Sequence, residues 1–327
     1  MAELTVVEAI NRALGEAMEA DERVLVLGQD VGVDGGVFRV TDGLLDRFGA
    51  ARSVDTPLAE SAIVGASIGM AVAGLRPVCE MQFSGFSYFG FHQLESHAAR
   101  LRWRTRGGLH VPLVVRMPYG AGVRALEHHS ESRELYYAHT PGLRVVVPSG
   151  PRQARGLLRS AIDDPDPVVF FEPKLLYRSL REEVPDEPER LPLDRAQIPR
   201  RGDDLTLVAY GAMLPRTLDA AAELAEEGVE CEVVDLVTLA PLDSDTVVTS
   251  VRKTGRAVVV HEAHRSYGPA AEIMARLNEQ AFYSLRAPVQ RVTGYDVPVP
   301  YFAREHDYLP DVARIVEAAR RSLEAEA

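Results

Sequence analysis

Runs of consecutive apolar, largely β-branched residues alternate with helix-forming stretches along this chain, and that alternation restricts the fold more than any other feature of the sequence. A strand that is apolar throughout is covered on both faces, and strands alternating with helices favour a parallel sheet wound on both sides. Strands are predicted at 24–28, 77–83, 111–117, 143–148 and 167–172, with helices at 5–20, 59–73, 90–101 and 151–162. The segment 174–203, rich in Pro, Arg and Glu, reads as an ordered but exposed connector. The alternation then resumes, with strands at 205–210, 231–236, 257–261 and 289–292 and helices at 215–227, 244–253, 269–281 and 309–324. The expected fold is α/β, two doubly wound, mainly parallel-sheet domains: 1–187 including the connector, and 188–327.

Composition narrows the function. With 46% hydrophobic residues in 327, the chain can bury a core in each domain. A net charge of -12 repels phosphate backbones and anionic lipid, so neither nucleic acid nor membrane is an expected partner. The densest basic cluster, Arg100, Arg102, Arg104 and Arg106, reads as one face of a strand or turn. The apolar stretch 63–75 contains Gly65, Gly69 and Gly74, falls short of the roughly 20 residues that span a bilayer, and reads as a buried helix. The first eleven residues are helix-like, without the basic and apolar regions of a secretory signal. Cys79 and Cys231 sit in apolar runs without a partner at metal spacing, as buried thiols of a reducing cytosol do. A cytoplasmic location is therefore expected.

Several places could carry chemistry. In Asp55-Thr56-Pro57-Leu58-Ala59-Glu60, Thr56 suits a helix N-cap and Pro57 the first helical position. Glu60 then falls in the first helical turn, where the dipole favours a carboxylate; the alternative is an acid delivered to a cleft at a strand-to-helix junction. In the helix that follows, small residues recur every four positions, clearing one face for close approach of the sheet or of another chain. His128 and His129, among Glu127, Ser130 and Glu131, read either as exposed loop histidines or as a proton donor working near neutral pH. Their spacing does not match a helical zinc motif. Phe83, Phe86, Tyr88, Phe89 and Phe91 are core, or a ring platform for a heteroaromatic cofactor. Residues 32–36 form a turn, and no Gly-x-Gly-x-x-Gly follows a strand, which disfavours a dinucleotide enzyme.

In order along the chain, Gly35-Gly36-Val37-Phe38-Arg39-Val40-Thr41, Asp55-Thr56-Pro57-Leu58-Ala59-Glu60, Gly74-Leu75-Arg76-Pro77-Val78-Cys79-Glu80, His129-Ser130, Pro141-Gly142-Leu143, Asp166-Pro167-Val168-Val169-Phe170-Phe171-Glu172-Pro173 and Arg291-Val292-Thr293-Gly294-Tyr295-Asp296 resemble one family. It is the β subunit of the thiamine-diphosphate-dependent E1 component of 2-oxo acid dehydrogenases, related to the pyrimidine-binding and C-terminal domains of transketolase. The resemblance implies that Glu60 hydrogen-bonds N1′ of the aminopyrimidine and that Phe86 lies against that ring, with Leu58 as a further wall. It implies that His129 stands near the reacting carbon during acyl transfer to a lipoyl group. It also implies K+ on carbonyls at Leu113, Ala161, Ile162, Asp164 and Asp166. The Gly-Asp-Gly motif that grips the diphosphate through Mg2+ is absent from the sequence. The family's solution is an α subunit in an α2β2 heterotetramer, which serves an E2 lipoyl acyltransferase core; the small-residue helix then becomes a plausible subunit contact. Gln29 stands where many relatives have Glu. Gln82-Phe83-Ser84-Gly85-Phe86 is similar to pyruvate-type enzymes, whereas Gly294-Tyr295-Asp296 resembles branched-chain ones. Pyruvate is the favoured substrate, and a branched-chain 2-oxo acid or acetoin the alternative.

Overall fold

The computed structural model describes residues 1–325, and the apolar runs become the inner strands of two sheets. The first sheet has seven strands, in the order Thr238–Ala240, Arg144–Val146, Val168–Pro173, Val114–Tyr119, Arg76–Glu80, Val24–Gly28 and Ser53–Asp55. All are parallel except the edge strand Thr238–Ala240. The chain runs outward from Val24–Gly28 to Ser53–Asp55, then crosses back to Arg76–Glu80 on the other side. That reversal opens a crevice at the carboxyl ends of the two adjacent strands, where doubly wound sheets hold ligands.

The second sheet has five strands, in the order Gln290–Thr293, Ala257–His261, Leu205–Ala209, Cys231–Asp235 and Gln197–Arg200. Only Gln197–Arg200 runs antiparallel. Both cysteines are buried. No described helix is long and apolar enough to cross a membrane.

Several expectations change. The first residues are not helical: Ala2–Thr5 is a strand paired antiparallel with Arg181–Val184. Thr5 then caps helix Val6–Ala20 through a capping box, accepting from Glu8 N at 3.3 Å while Glu8 Oε2 accepts from Thr5 N at 2.7 Å. The connector is therefore structured at both ends, and its first residue, Lys174, is buried. The helix predicted at 59–73 runs Glu60–Val72 with Ala59 at its N-cap, so Thr56 does not cap it. Arg100, Arg102 and Arg104 lie in helix Ala99–Arg104, not on a strand. A π-helical turn, Leu94–Ala98, joins that helix to Tyr88–Gln93.

Candidate active site

Loops from the crevice strands are tied to one another before any catalytic group is placed. The Asp55 carboxylate accepts from the backbone N–H groups of Gly32 (2.6 Å) and Val33 (3.0 Å), and Gln82 Nε2 donates to Asp30 Oδ2 at 3.0 Å. Gly36 has φ +81°, and a Cβ there would meet Glu80 Oε1 at 3.3 Å, so the turn at 32–36 closes directly over the end of the Glu80 strand.

Glu60 is half-buried in the first turn of its helix, whose N-cap supplies no side-chain hydrogen bond. A carboxylate here sits in the positive end of the helix dipole. Leu58, just before it, is 69% exposed. Helix Tyr88–Gln93 packs on this helix through Gly90, where a Cβ would come within 2.8 Å of Val64 Cγ2 and 3.3 Å of Glu60 O. Glycine at 90 thus lets the turn carrying Phe86 lie beside the helix that Glu60 opens.

His129 ends a single 3-10 turn, Glu127–His129. Its ring packs edge-on against Phe83 (centroids 4.5 Å apart) and Phe86 (5.2 Å). Its Nδ1 is buried without a hydrogen-bond partner. Burial, helped by His128 and Lys174, lowers the His129 pKa below the ordinary imidazole value. The ring is therefore neutral around pH 7, able to give one proton and accept another. Lys174 Nζ donates to the His129 carbonyl, and burial brings that ammonium down to about 8. A Cβ on Gly85 would stand 1.8 Å from His128 O, so only glycine allows the Phe86 turn and the histidine turn to touch at their backbones. The structure thus brings Phe86 and His129 into contact, with Glu60 on the helix packed against the Phe86 segment.

One feature of the site escaped sequence reasoning. Arg116, Glu80 and Glu172 come from three adjacent parallel strands and are 1%, 5% and 0% exposed. Arg116 Nε and Nη2 donate to the two Glu172 oxygens at 2.7 and 3.0 Å, and Nη1 donates to Glu80 Oε2 at 2.7 Å. Tyr177 OH donates to Glu172 Oε2 at 2.5 Å. Burial alone would lower the guanidinium pKa; Glu172 and Glu80 more than reverse it. Burial raises Glu172 despite Arg116 beside it. The signal in the sequence was a lone charge in each of the apolar runs 77–83, 111–117 and 167–172.

The five positions read as a cation site gather around the end of helix Pro151–Asp163. Three of the five carbonyls already accept hydrogen bonds: Leu113 O from Val168 N (2.9 Å), Ala161 O from Asp164 N (3.3 Å) and Ile162 O from Arg76 Nη1 (2.7 Å). Asp164 pairs with Arg144 at 2.9 Å, and Asp166 pairs with Arg102. Any cation here would rely on main-chain oxygens, because both carboxylates have guanidinium partners. Among the described residues, no three His, Cys, Asp or Glu side chains form a metal cluster. A cleft of about 1490 Å³, walled by Phe91, Trp103, Tyr136 and Tyr267, reaches Glu131 but not Glu60, Phe86 or His129.

Residues 2–179 match the family model of the transketolase pyrimidine-binding domain, and residues 194–315 match that of the transketolase C-terminal domain. The chain is 49% identical to a pyruvate dehydrogenase E1 component subunit beta from Acholeplasma laidlawii, over 99% of each chain. It is 48% identical to the Bacillus subtilis protein of that name, over 99% of this chain and all of the other. It is 51% identical to a 3-methyl-2-oxobutanoate dehydrogenase subunit beta from Mycobacterium tuberculosis, over 98% of this chain and 92% of that one. A solved split-gene transketolase, described as an inactive β4 tetramer, superposes over the whole of both chains with TM-score 0.82 at 23% identity, a likeness of fold.

Proposed function

This chain belongs to the family of E1 β subunits of 2-oxo acid dehydrogenases, and from that premise we propose that it works with a separate α subunit to decarboxylate pyruvate and pass the acetyl group to a lipoyl group on an E2 core. The observation that carries the substrate is the end-to-end likeness to β subunits named for pyruvate dehydrogenase, at 49% identity.

The residues at the crevice are read as seating one half of thiamine diphosphate, the aminopyrimidine. Glu60, at the helix dipole, would hold a proton at N1′ of the aminopyrimidine, with the Phe86 ring and Leu58 beside that ring. The diphosphate and its Mg2+ have no Gly-Asp-Gly cradle in this chain and fall to the α subunit of an α2β2 assembly. When bound, the cofactor supplies an electron sink for the bond broken in decarboxylation. This chain's residues do the rest: Phe83 and Phe86 shield the approach from water, and neutral His129 orients substrate or gives a proton during acyl transfer. The carbonyls of Leu113, Ala161 and Ile162, with Asp164 and Asp166, are the proposed K+ position, and the domain division is proposed at 187/188.

Glu60→Gln in the reconstituted α/β complex tests the central role. Decarboxylation should fall by about 10²–10⁴-fold, the usual worth of a positioned acid, with assembly unchanged. A near wild-type rate would refute it. A branched-chain substrate is the second reading, favoured by the 51% identity to the 3-methyl-2-oxobutanoate enzyme. Higher kcat/KM for 3-methyl-2-oxobutanoate than for pyruvate would select it.

A further inference from the structure

We infer that Glu262 and Glu305, both in the second domain, are positioning residues that hold the loop carrying His129. This rests on the catalytic reading of His129 above and deepens it. The loop leaves strand Val114–Tyr119 and, apart from the single 3-10 turn Glu127–His129, has no helix until Glu134–Ala138. A loop of that length has little of its own to fix it. Its first residues turn sharply, with positive φ at Gly120, Gly122 and Arg124, and the N–H groups of Ala121, Gly122 and Arg124 face the second domain. There Glu262 Oε2 accepts from Ala121 N at 2.8 Å. Glu305 accepts from Gly122 N at 2.8 Å with one oxygen and from Arg124 N at 2.7 Å with the other. A Cβ on Gly120 would lie 2.6 Å from both Glu262 oxygens, so the loop backbone rests directly on that carboxylate.

Both acids are buried, at 2% and 0% exposure. Neutral acceptors could satisfy the same N–H groups without removing a charge from water. A carboxylate bound by backbone N–H groups makes the stronger, shorter bond and fixes the backbone more tightly. Lys174 Nζ, itself buried, holds the His129 carbonyl, and the negative charges of Glu262 and Glu305 partly offset the cost of burying its ammonium. Further along, Gly120 N and Ser84 Oγ both donate to Glu131 O, and Tyr210 of the second domain donates to Glu134 Oε1 at 2.6 Å. The start and finish of the loop are thus pinned by the second domain, and the backbone of its histidine by Lys174.

The test uses the assembled α/β complex. Glu305→Ala should raise amide hydrogen exchange across 121–131 and lower kcat by about 10–100-fold, as a displacement near 1 Å does, with cofactor affinity held. Because Glu305 acts through His129, the double variant Glu305→Ala/His129→Ala should be no slower than His129→Ala alone, which a merely structural role would not give. Multiplying losses, or unchanged exchange across 121–131, would overturn the inference. Should Glu305→Ala fail to assemble, Glu262→Ala removes the Ala121 acceptor instead and is read the same way. If His129→Ala alone keeps the wild-type rate, the role proposed for the histidine has failed instead, and the exchange data still decide whether the carboxylates hold the loop.

Discussion

At the scale of single residues, the buried Arg116 shows how much of a site can lie in pairings rather than in residue types. One guanidinium serves two carboxylates at 2.7 Å, so removing it strands two buried negative charges. Breaking a buried pair from one side costs about 3–5 kcal/mol. Arg116→Met should therefore lower stability by at least that amount, read from thermal or urea unfolding of the complex; a loss under about 1 kcal/mol would mean the carboxylates find other partners or protonate without strain. The sequence displayed Arg116 as a charge inside an apolar run. It could not display Glu80 and Glu172 as its partners, because that depends on the register across the Glu80, Arg116 and Glu172 strands. Lys174 was hidden for another reason. It opens a stretch whose composition reads as solvated, and only the fold buries it beneath His129.

At the scale of elements, helix Glu60–Val72 divides into two faces. Ile63, Val64, Ser67 and Ala71 are buried, while Ala62, Ala66, Gly69 and, just past its end, Ala73 are exposed at helical spacing. A Cβ at Gly69 would touch nothing within 4 Å, so the glycine answers no need inside this chain. The proposed interface with an α subunit would give it one. Gly69→Leu should leave the fold of this chain intact, and should even gain about 1 kcal/mol of helix propensity, yet weaken α/β association at least tenfold in sedimentation or calorimetry. Unchanged association would assign that face to solvent. The helix itself was legible from its small-residue pattern, but its start was not. The first helical hydrogen bond runs from Ile63 N to Ala59 O at 2.9 Å, so Thr56, whose N–H still donates to Gly28 O of the neighbouring strand, lies three residues short of the cap position. The arginines at 100, 102 and 104 misled by their period of two. Buried Leu94 and Ala98 and half-buried Leu101 follow the helical period, and the side that packs decides the structure.

At the scale of the whole molecule, the two sheets interlock rather than merely adjoin. The three-residue strand Thr238–Ala240, too short to show a period, leaves the second unit to edge the first sheet, and Glu262 reaches back to the His129 loop. Burial, with Glu134 adding to it, pushes the Glu262 carboxyl up from 4.5 to about 7. Between those values the folded chain keeps a proton that the unfolded chain has released. The stabilisation is therefore complete below pH 4.5 and is lost as pH rises through 7, and the span is worth roughly 3 kcal/mol. Asp235, raised by burial to about 6, adds in the same direction. His261 opposes both: burial lowers it from 6.5 to about 4, so its contribution is present above pH 6.5 and is lost as pH falls toward 4. Glu262→Gln cannot titrate and should remove its part of the descending slope. Wild type minus variant unfolding free energy, measured on the complex at pH 5 and again at pH 7.5, should shift against the wild type by up to roughly 3 kcal/mol. Equal slopes in the two proteins would mean that Glu262 stays ionised across the range, with Lys174 and the Ala121 N–H outweighing its burial. The carboxylate that fixes the histidine loop would then hold it equally well at acid and neutral pH.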